Sequence, residues 1–99
     1  MPFRLERTGR FEDDLLDIWD YVASDNLPAA DKVIRDIVGR FEPLATFPKL
    51  GRAVPEISTE HYVLLQGSYV IVYRVDEEAG RVLLLRVIHG ARDWLSLFD

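Results

Sequence analysis

The apolar residues of this chain repeat with one period from Phe11 to Leu44 and with another from His61 onward. That change restricts the fold more than any other feature. Phe11, Leu15, Ile18, Trp19 and Val22 stand at i, i+4, i+7, i+8 and i+11, which is one stripe of a helix. The carboxylates of Glu12, Asp13 and Asp14 fall at its start, where the helix dipole favours negative charge. Ser24-Asp25-Asn26 ends it, and Pro28 suits the first turn of a second helix with Ala30, Val33, Ile34, Ile37, Phe41 and Leu44 on one face. Pro43 has no amide hydrogen for the carbonyl four residues back, so that helix is expected to end or kink there. Two amphipathic helices joined by so short a turn form an antiparallel hairpin.

Before the helices, Phe3 to Arg7 alternates apolar and charged residues, as a strand with one buried face does. After them, Phe47 to Pro55 is a loop by its two prolines and its glycine. His61 to Gln66 is a strand, Gly67-Ser68 a two-residue turn, and Tyr69 to Val75 the second strand of that hairpin, rich in β-branched and aromatic residues. Asp76 to Gly80 makes the next turn and Arg81 to His89 the third strand, while Ala91 to Phe98 suits one or two helical turns. The expectation is an α+β domain over residues 1–99, with an N-terminal strand, a two-helix hairpin, a mostly antiparallel three-strand meander and a short C-terminal helix. With 99 residues, 48% of them apolar, the chain is too short for two cores and too apolar to stay disordered.

Charge narrows the function classes. Twelve basic against 17 acidic residues leave a net charge of -5, the wrong sign for a domain held to nucleic acid by phosphate neutralisation. The acidity is local, however. Between Phe11 and Leu27 every charge is negative, and Asp76-Glu77-Glu78 is a second acidic knot; the remainder is slightly basic. With no cysteine there is no disulfide, thiolate metal site or cysteine nucleophile. Arg4, Glu6, Arg7 and Arg10 interrupt any apolar leader core, and no apolar run approaches the ~20 residues of a membrane helix, so a soluble cytoplasmic chain is expected. The two histidines, His61 and His89, lack metal-ligand spacing, and Gly51 and Gly67 stand alone, so neither a metal nor a cofactor is expected. Asp13, Asp14 and Asp17 read as a solvated helix face.

Alternation sorts the sheet residues. Tyr69, Ile71, Tyr73 and Val75 point one way, and Val70, Val72 and Arg74 the other. If Asp76 to Gly80 is the whole turn, Arg74 faces Val82 and Arg86 faces Val70, which puts Arg74 and Arg86 on one sheet face away from the helices. They are then either edge arginines with apolar-covering stems and solvated heads, or part of a partner-binding face. The densest chemistry lies in Arg86-Val-Ile-His89-Gly90-Ala-Arg92-Asp93. His89 could move protons near neutral pH, or be a strand-end imidazole bonded to backbone on the parity of Leu85 and Val87. Trp94, Leu95, Leu97 and Phe98 either dock on the sheet face or await another chain.

These segments, taken in order, resemble a known family. Phe47-Pro48-Lys-Leu-Gly51-Arg52, then Tyr69-Val-Ile-Val-Tyr73-Arg74, then Val82 to Asp93 with its His89-Gly90-Ala-Arg92-Asp93 ending, are similar to the RelE/ParE toxins of type II toxin–antitoxin systems. Asp14-Leu-Leu-Asp17-Ile18-Trp19-Asp20-Tyr21 is like that family's first helix, and the His-Gly-x-Arg-Asp ending resembles the ParE branch. The resemblance implies a plasmid-stabilising toxin neutralised by a cognate ParD-like antitoxin in a hetero-oligomer. ParE-type members are associated with poisoning DNA gyrase; RelE-type members are ribosome-dependent messenger-RNA endonucleases. The RNA-cutting relatives are usually basic, whereas here lysine is limited to Lys32 and Lys49 and the phosphate-facing candidates to Arg52, Arg74, Arg86, His89 and Arg92.

A protein target is therefore expected, with no catalytic residues and no sequence-specific nucleic-acid binding. Arg74, Arg86, Arg92 and Trp94 are the residues implied for target or antitoxin binding. On the endonuclease alternative, Arg52, Arg86, His89 and Arg92 would be catalytic. Many relatives carry an arginine ahead of the second sheet strand where this chain has Glu60-His61-Tyr62, which leaves a non-toxic, antitoxin-binding remnant as the third possibility.

Overall fold

Thr8 starts the first helix. In the structure, a computed structural model that describes residues 2–98, its hydroxyl accepts from the Phe11 amide at 3.2 Å as an N-cap. Strand β1 (Arg4–Arg7) runs into helix α1 (Gly9–Ala23) there, and helix α2 (Leu27–Phe41) follows a short turn. Asn26 caps α2 through the Ala29 amide at 3.0 Å, with Pro28 in the first turn as expected. At Pro43 the α-helix gives way to a 3₁₀ turn, Glu42–Ala45. The sheet continues with β2 (Arg52–Ala53), β3 (His61–Gln66), β4 (Tyr69–Asp76) and β5 (Arg81–His89), and Leu95–Phe98 forms a second 3₁₀ turn.

Among the described residues the strands form one sheet in the order β1-β5-β4-β3-β2. β1 lies parallel to β5, and the other neighbours are antiparallel. The two-residue β2 lies in the proline-flanked loop, where so short a piece carries no periodic signal.

The hairpin covers one face of the sheet. Phe11 and Leu15 of α1 and Ile37 and Phe41 of α2 pack against Ile71, Tyr73 and Val75 of β4 and Val82, Leu84 and Val87 of β5. Phe11 and Phe41 meet edge to face at 5.5 Å, a favoured aromatic geometry. Tyr73 is fully buried; its hydroxyl accepts from the Gly51 amide at 2.9 Å, and burial pushes its pKa up to about 12. A Cβ on Gly51 would stand 2.4 Å from the Val63 carbonyl oxygen, so only glycine fits that approach. The opposite face gathers Val54, Val63, Val70 and Val72, with Ile57, Trp94, Leu95 and Phe98 partly buried upon them. The tail thus docks on the sheet, the first of its two possible fates, although Leu97 stays 40% exposed.

The register of β5 differs from expectation. Asp76 pairs with Arg81, so the turn is one residue shorter and Arg74 lies opposite Leu83 rather than Val82. A β-bulge then shifts the register: Tyr73 pairs with Leu84 but Val72 with Arg86, leaving Leu85 as the extra residue. Val82 and Leu84 therefore join Val87 in the helix-side core, not Leu83 and Leu85. Arg86 consequently faces Val72 rather than Val70.

Candidate functional site

β1 covers only the first half of β5. Its pairing ends at Arg7 opposite Leu84, and the chain then turns into α1. Thr8 finishes the junction: its amide and its hydroxyl both donate to the Leu84 carbonyl, at 3.1 and 2.9 Å. Six residues further on, Asp14 takes over the role of a strand. Its Oδ2 accepts the Val87 amide at 2.9 Å, a bond that a longer β1 would have made through a carbonyl.

The same carboxylate holds Arg86. Asp14 Oδ2 accepts from Arg86 Nε at 2.7 Å and Oδ1 from Nη2 at 3.2 Å, a two-point fork. Their side chains are 10% and 13% exposed, so the ion pair lies almost out of solvent. Backbone and guanidinium donors together satisfy it, as a nearly buried carboxylate requires. The bulge makes this possible by adding Leu85, after which Arg86 reaches α1 while Val87 returns to the core.

Around this tie lie two adjoining clefts. One, of about 350 Å³, is walled by Arg10, Asp13 and Asp17 of α1 and by Arg86 and Arg92. The other, of about 400 Å³, has Ile18, Tyr21, Tyr69 and Val87 for its apolar part, with Asp17, His89 and Arg92 at its polar edge. His89 is exposed; its Nδ1 accepts from the Ala91 amide at 3.1 Å, and its ring stands edge-on to Tyr69 at 5.6 Å. The bond to backbone is the second of the two roles open to it from sequence. The Arg92 amide donates to the His89 carbonyl at 3.0 Å, which tightens the chain beyond β5 and leaves the Arg92 side chain exposed.

The sequence candidates separate into groups. Arg86, His89 and Arg92 come together at the far end of β5. Arg74 does not join them, because it lies on the helix-free face near the β4–β5 turn, where its guanidinium meets Glu60 at 3.3 Å. Paired with Val72, Arg86 starts from the same sheet face as Arg74, but its guanidinium runs to Asp14 of α1, so the two arginines form no common patch. Arg52 lies on β2, at the opposite edge of the sheet from β1 and with β3 and β4 between it and β5. Trp94 packs on the helix-free face beside Val70 and Val72.

Asp14 is the residue that sequence reading missed, since it was grouped with Asp13 and Asp17 as solvated. A signal was present. Asp14 lies three residues after Phe11 and four before Ile18, at the border of the apolar stripe, and Arg86 is the one charge inside an otherwise apolar run from Val82 to Ile88. On β3, opposite Arg74, His61 bonds Ser58 Oγ through Nδ1 at 2.6 Å; burial, then the Arg74 charge, holds its pKa below the usual histidine value. Among the described residues no group of three His, Asp or Glu gathers to hold a metal ion, and no helix is long and apolar enough to cross a membrane.

Comparison with known proteins follows this geometry. The family model described as the ParE toxin of the type II toxin–antitoxin system, parDE, matches residues 5–94. The putative toxin Y4kP of Sinorhizobium fredii is 32% identical over 91 residues, 92% of each chain. Toxin ParE1 of Mycobacterium tuberculosis is 31% identical over 80 residues, 80% of this chain and 81% of the relative. Toxin ParE1 of Caulobacter vibrioides is 32% identical over 89 residues, 89% and 88% of the two chains.

Among solved structures, one of the chromosomal ParDE system from P. aeruginosa superposes with a TM-score of 0.74 at 24% identity, over 88% of this chain and 95% of that one. The toxin–antitoxin complex RelBE2 from Mycobacterium tuberculosis gives 0.70 at 22% identity, over 90% and 99%. These two show the shared fold.

Proposed function

Because this chain belongs to the ParE toxin family of type II toxin–antitoxin systems, we propose that it acts on a protein target, DNA gyrase, and is neutralised by a ParD-like antitoxin. The observation that carries the choice of a protein target is the state of Arg86. A ribonuclease of this fold would need free cations converging on a scissile phosphate. Here the Arg86 guanidinium is already committed to Asp14 through two hydrogen bonds, and its charge is cancelled where it stands. Arg52, another member of that cationic set, is three strand spacings from β5 across the sheet, about 14 Å.

What remains exposed at the β5 end is Arg92 with His89, set beside an acidic α1. That mixture suits a protein surface, where one or two cations find carboxylates, better than a polyphosphate that needs several neutralised at once. Arg92 is the residue of this group proposed to touch the target, with Arg86 holding the segment in place; Arg74 and Trp94 lie on the helix-free face and are proposed for antitoxin contact.

A supercoiling assay tests the proposal. Purified chain added at micromolar concentration to gyrase and relaxed plasmid should block supercoiling, and Arg92→Ala should weaken that block. Toeprinting of translating messages should show no new cleavage. Undisturbed supercoiling together with a cut message would reverse the assignment toward the endonuclease.

A further inference from the structure

The chain beyond β5 is exposed yet closely bonded. Gly90, Ala91 and Arg92 all face solvent, but the amide of each has an acceptor within the chain. Gly90 donates to the Ser68 carbonyl at 2.7 Å, Ala91 to His89 Nδ1 at 3.1 Å and Arg92 to the His89 carbonyl at 3.0 Å. Water could satisfy amides in so open a place, so what these bonds add is a fixed path for the backbone. The strand end is also fastened on both edges: Asp14 holds Val87 from the α1 side, and Ser68 holds Gly90 from the β3–β4 turn. Arg92 lies midway between two attachments. Two residues before it is the Gly90–Ser68 bond; two residues after it, Trp94 packs on the valines of the helix-free face.

Space rather than backbone conformation calls for glycine at position 90. Its φ is outside the left-handed region, which the described residues enter only at Gly67 and Gly80. A Cβ there would stand 3.2 Å from the Ser68 carbonyl oxygen and 3.6 Å from Val70 Cγ2. The first distance is shorter than such contacts ordinarily are, so a side chain would drive the strand end and the Gly67-Ser68 turn apart.

We infer that Gly90 is a positioning residue: by admitting the Ser68 carbonyl against its own backbone, it clamps the end of β5 to the β3–β4 turn and thereby sets where the Arg92 guanidinium meets the protein target. The inference rests on the gyrase reading above, in which Arg92 touches the target, and adds the residue that holds that contact in place. A bond at an exposed strand end adds little to the stability of a fold, because such ends are the first to open. Its effect falls on the short span between the clamp and Arg92. A loop whose path is already fixed loses less freedom when a partner seizes it, so the contact is tighter. The long Arg92 side chain magnifies any tilt of the backbone that carries it, which makes the clamp's exact spacing matter at the guanidinium.

The test reads the concentration of full-length chain that half-inhibits supercoiling by gyrase, beside thermal melts of each variant. Gly90→Val should raise that concentration about tenfold and the smaller Gly90→Ala about threefold, with melting temperatures lowered by only a few degrees. A double-mutant cycle then separates positioning from general damage. If Gly90 acts through Arg92, Gly90→Val combined with Arg92→Ala should inhibit as well as Arg92→Ala alone, to within about twofold. Should the valine variant melt below the assay temperature, the cycle is run with Gly90→Ala. Losses that multiply in the double variant would overturn the inference, because the glycine would then act elsewhere than through Arg92. Inhibition by the folded glycine variant within about twofold of the parent would overturn it as well. A parent chain that leaves supercoiling undisturbed would remove the gyrase reading itself, and the inference with it.

Discussion

On the helix side of the sheet, Phe11, Ile37, Phe41, Leu44, Tyr73 and Leu84 are 2% exposed or less. On the other side Val63, Val70 and Val72 are 4% exposed or less, but what covers them is Ile57, Trp94 and the 3₁₀ turn with Leu95 and Phe98, all themselves only half-buried. The first face is sealed by two capped helices that bring their own apolar stripes; the second is roofed by one loop residue and a few residues near the end of the chain. A domain of this size cannot afford two full cores, and the contrast shows where its stability is concentrated. The Asp14–Arg86 tie belongs to the sealed side, and through Val87 it anchors the strand end that presents His89 and Arg92.

Matched substitutions sharpen that contrast. Phe41→Ala, in the sealed core, should cost about 3–5 kcal/mol and leave little folded protein at physiological temperature, as read by denaturant melts. Arg86→Ala should cost about 3 kcal/mol, because Asp14 would keep its charge almost without solvent. The double variant Asp14→Leu, Arg86→Met should recover part of that loss, limited by the Val87 amide it leaves unpaired. If Arg86→Ala melts like the parent, the tie is an ordinary surface pair and the contrast is weaker than drawn.

On the roofed side, deleting residues 94–99 should cost about 1–2 kcal/mol, since half-buried side chains return part of their transfer energy as ordering entropy. A loss as large as that of Phe41→Ala would break the comparison. The smallest effect concerns His61, whose ring meets Phe98 edge to face at 6.2 Å. Burial and Arg74 hold its folded pKa below the unfolded value near 6.5, so the unfolded chain takes up a proton first on acidification. The stability His61 contributes is thus full above that value and is lost as pH falls from there to the folded pKa. A His61→Gln variant should show a shallower decline over that window in melts taken at several pH values.

Much of this was legible in the residues. The stripe from Phe11 to Val22, the Asn26–Pro28 start, the break at Pro43 and the Gly67-Ser68 turn are each written in local chemistry, and the helices and main strands lie where that chemistry puts them. The end of β5 was not legible, because its register depends on Asp14, a residue 72 positions from Arg86. A bulge has no local signature when Leu83, Leu84 and Leu85 are all leucine and either parity buries an apolar face. The candidate site followed the same rule. His89 and Arg92 stand where their spacing along the strand end put them, whereas the grouping of Arg86 with Arg74 missed the pull of Asp14, itself hidden by the assumption that a run of carboxylates is solvated throughout.

Amide hydrogen exchange at Val87 tests the account most directly. If Asp14 fastens α1 to the end of β5, the Val87 amide should exchange about as slowly as the sealed-core amides of β4, and Asp14→Ala should speed Val87 selectively while Ile71 stays protected. A Val87 amide that already exchanges at the rate of the Ala91 amide in the parent chain would show that no such fastening exists.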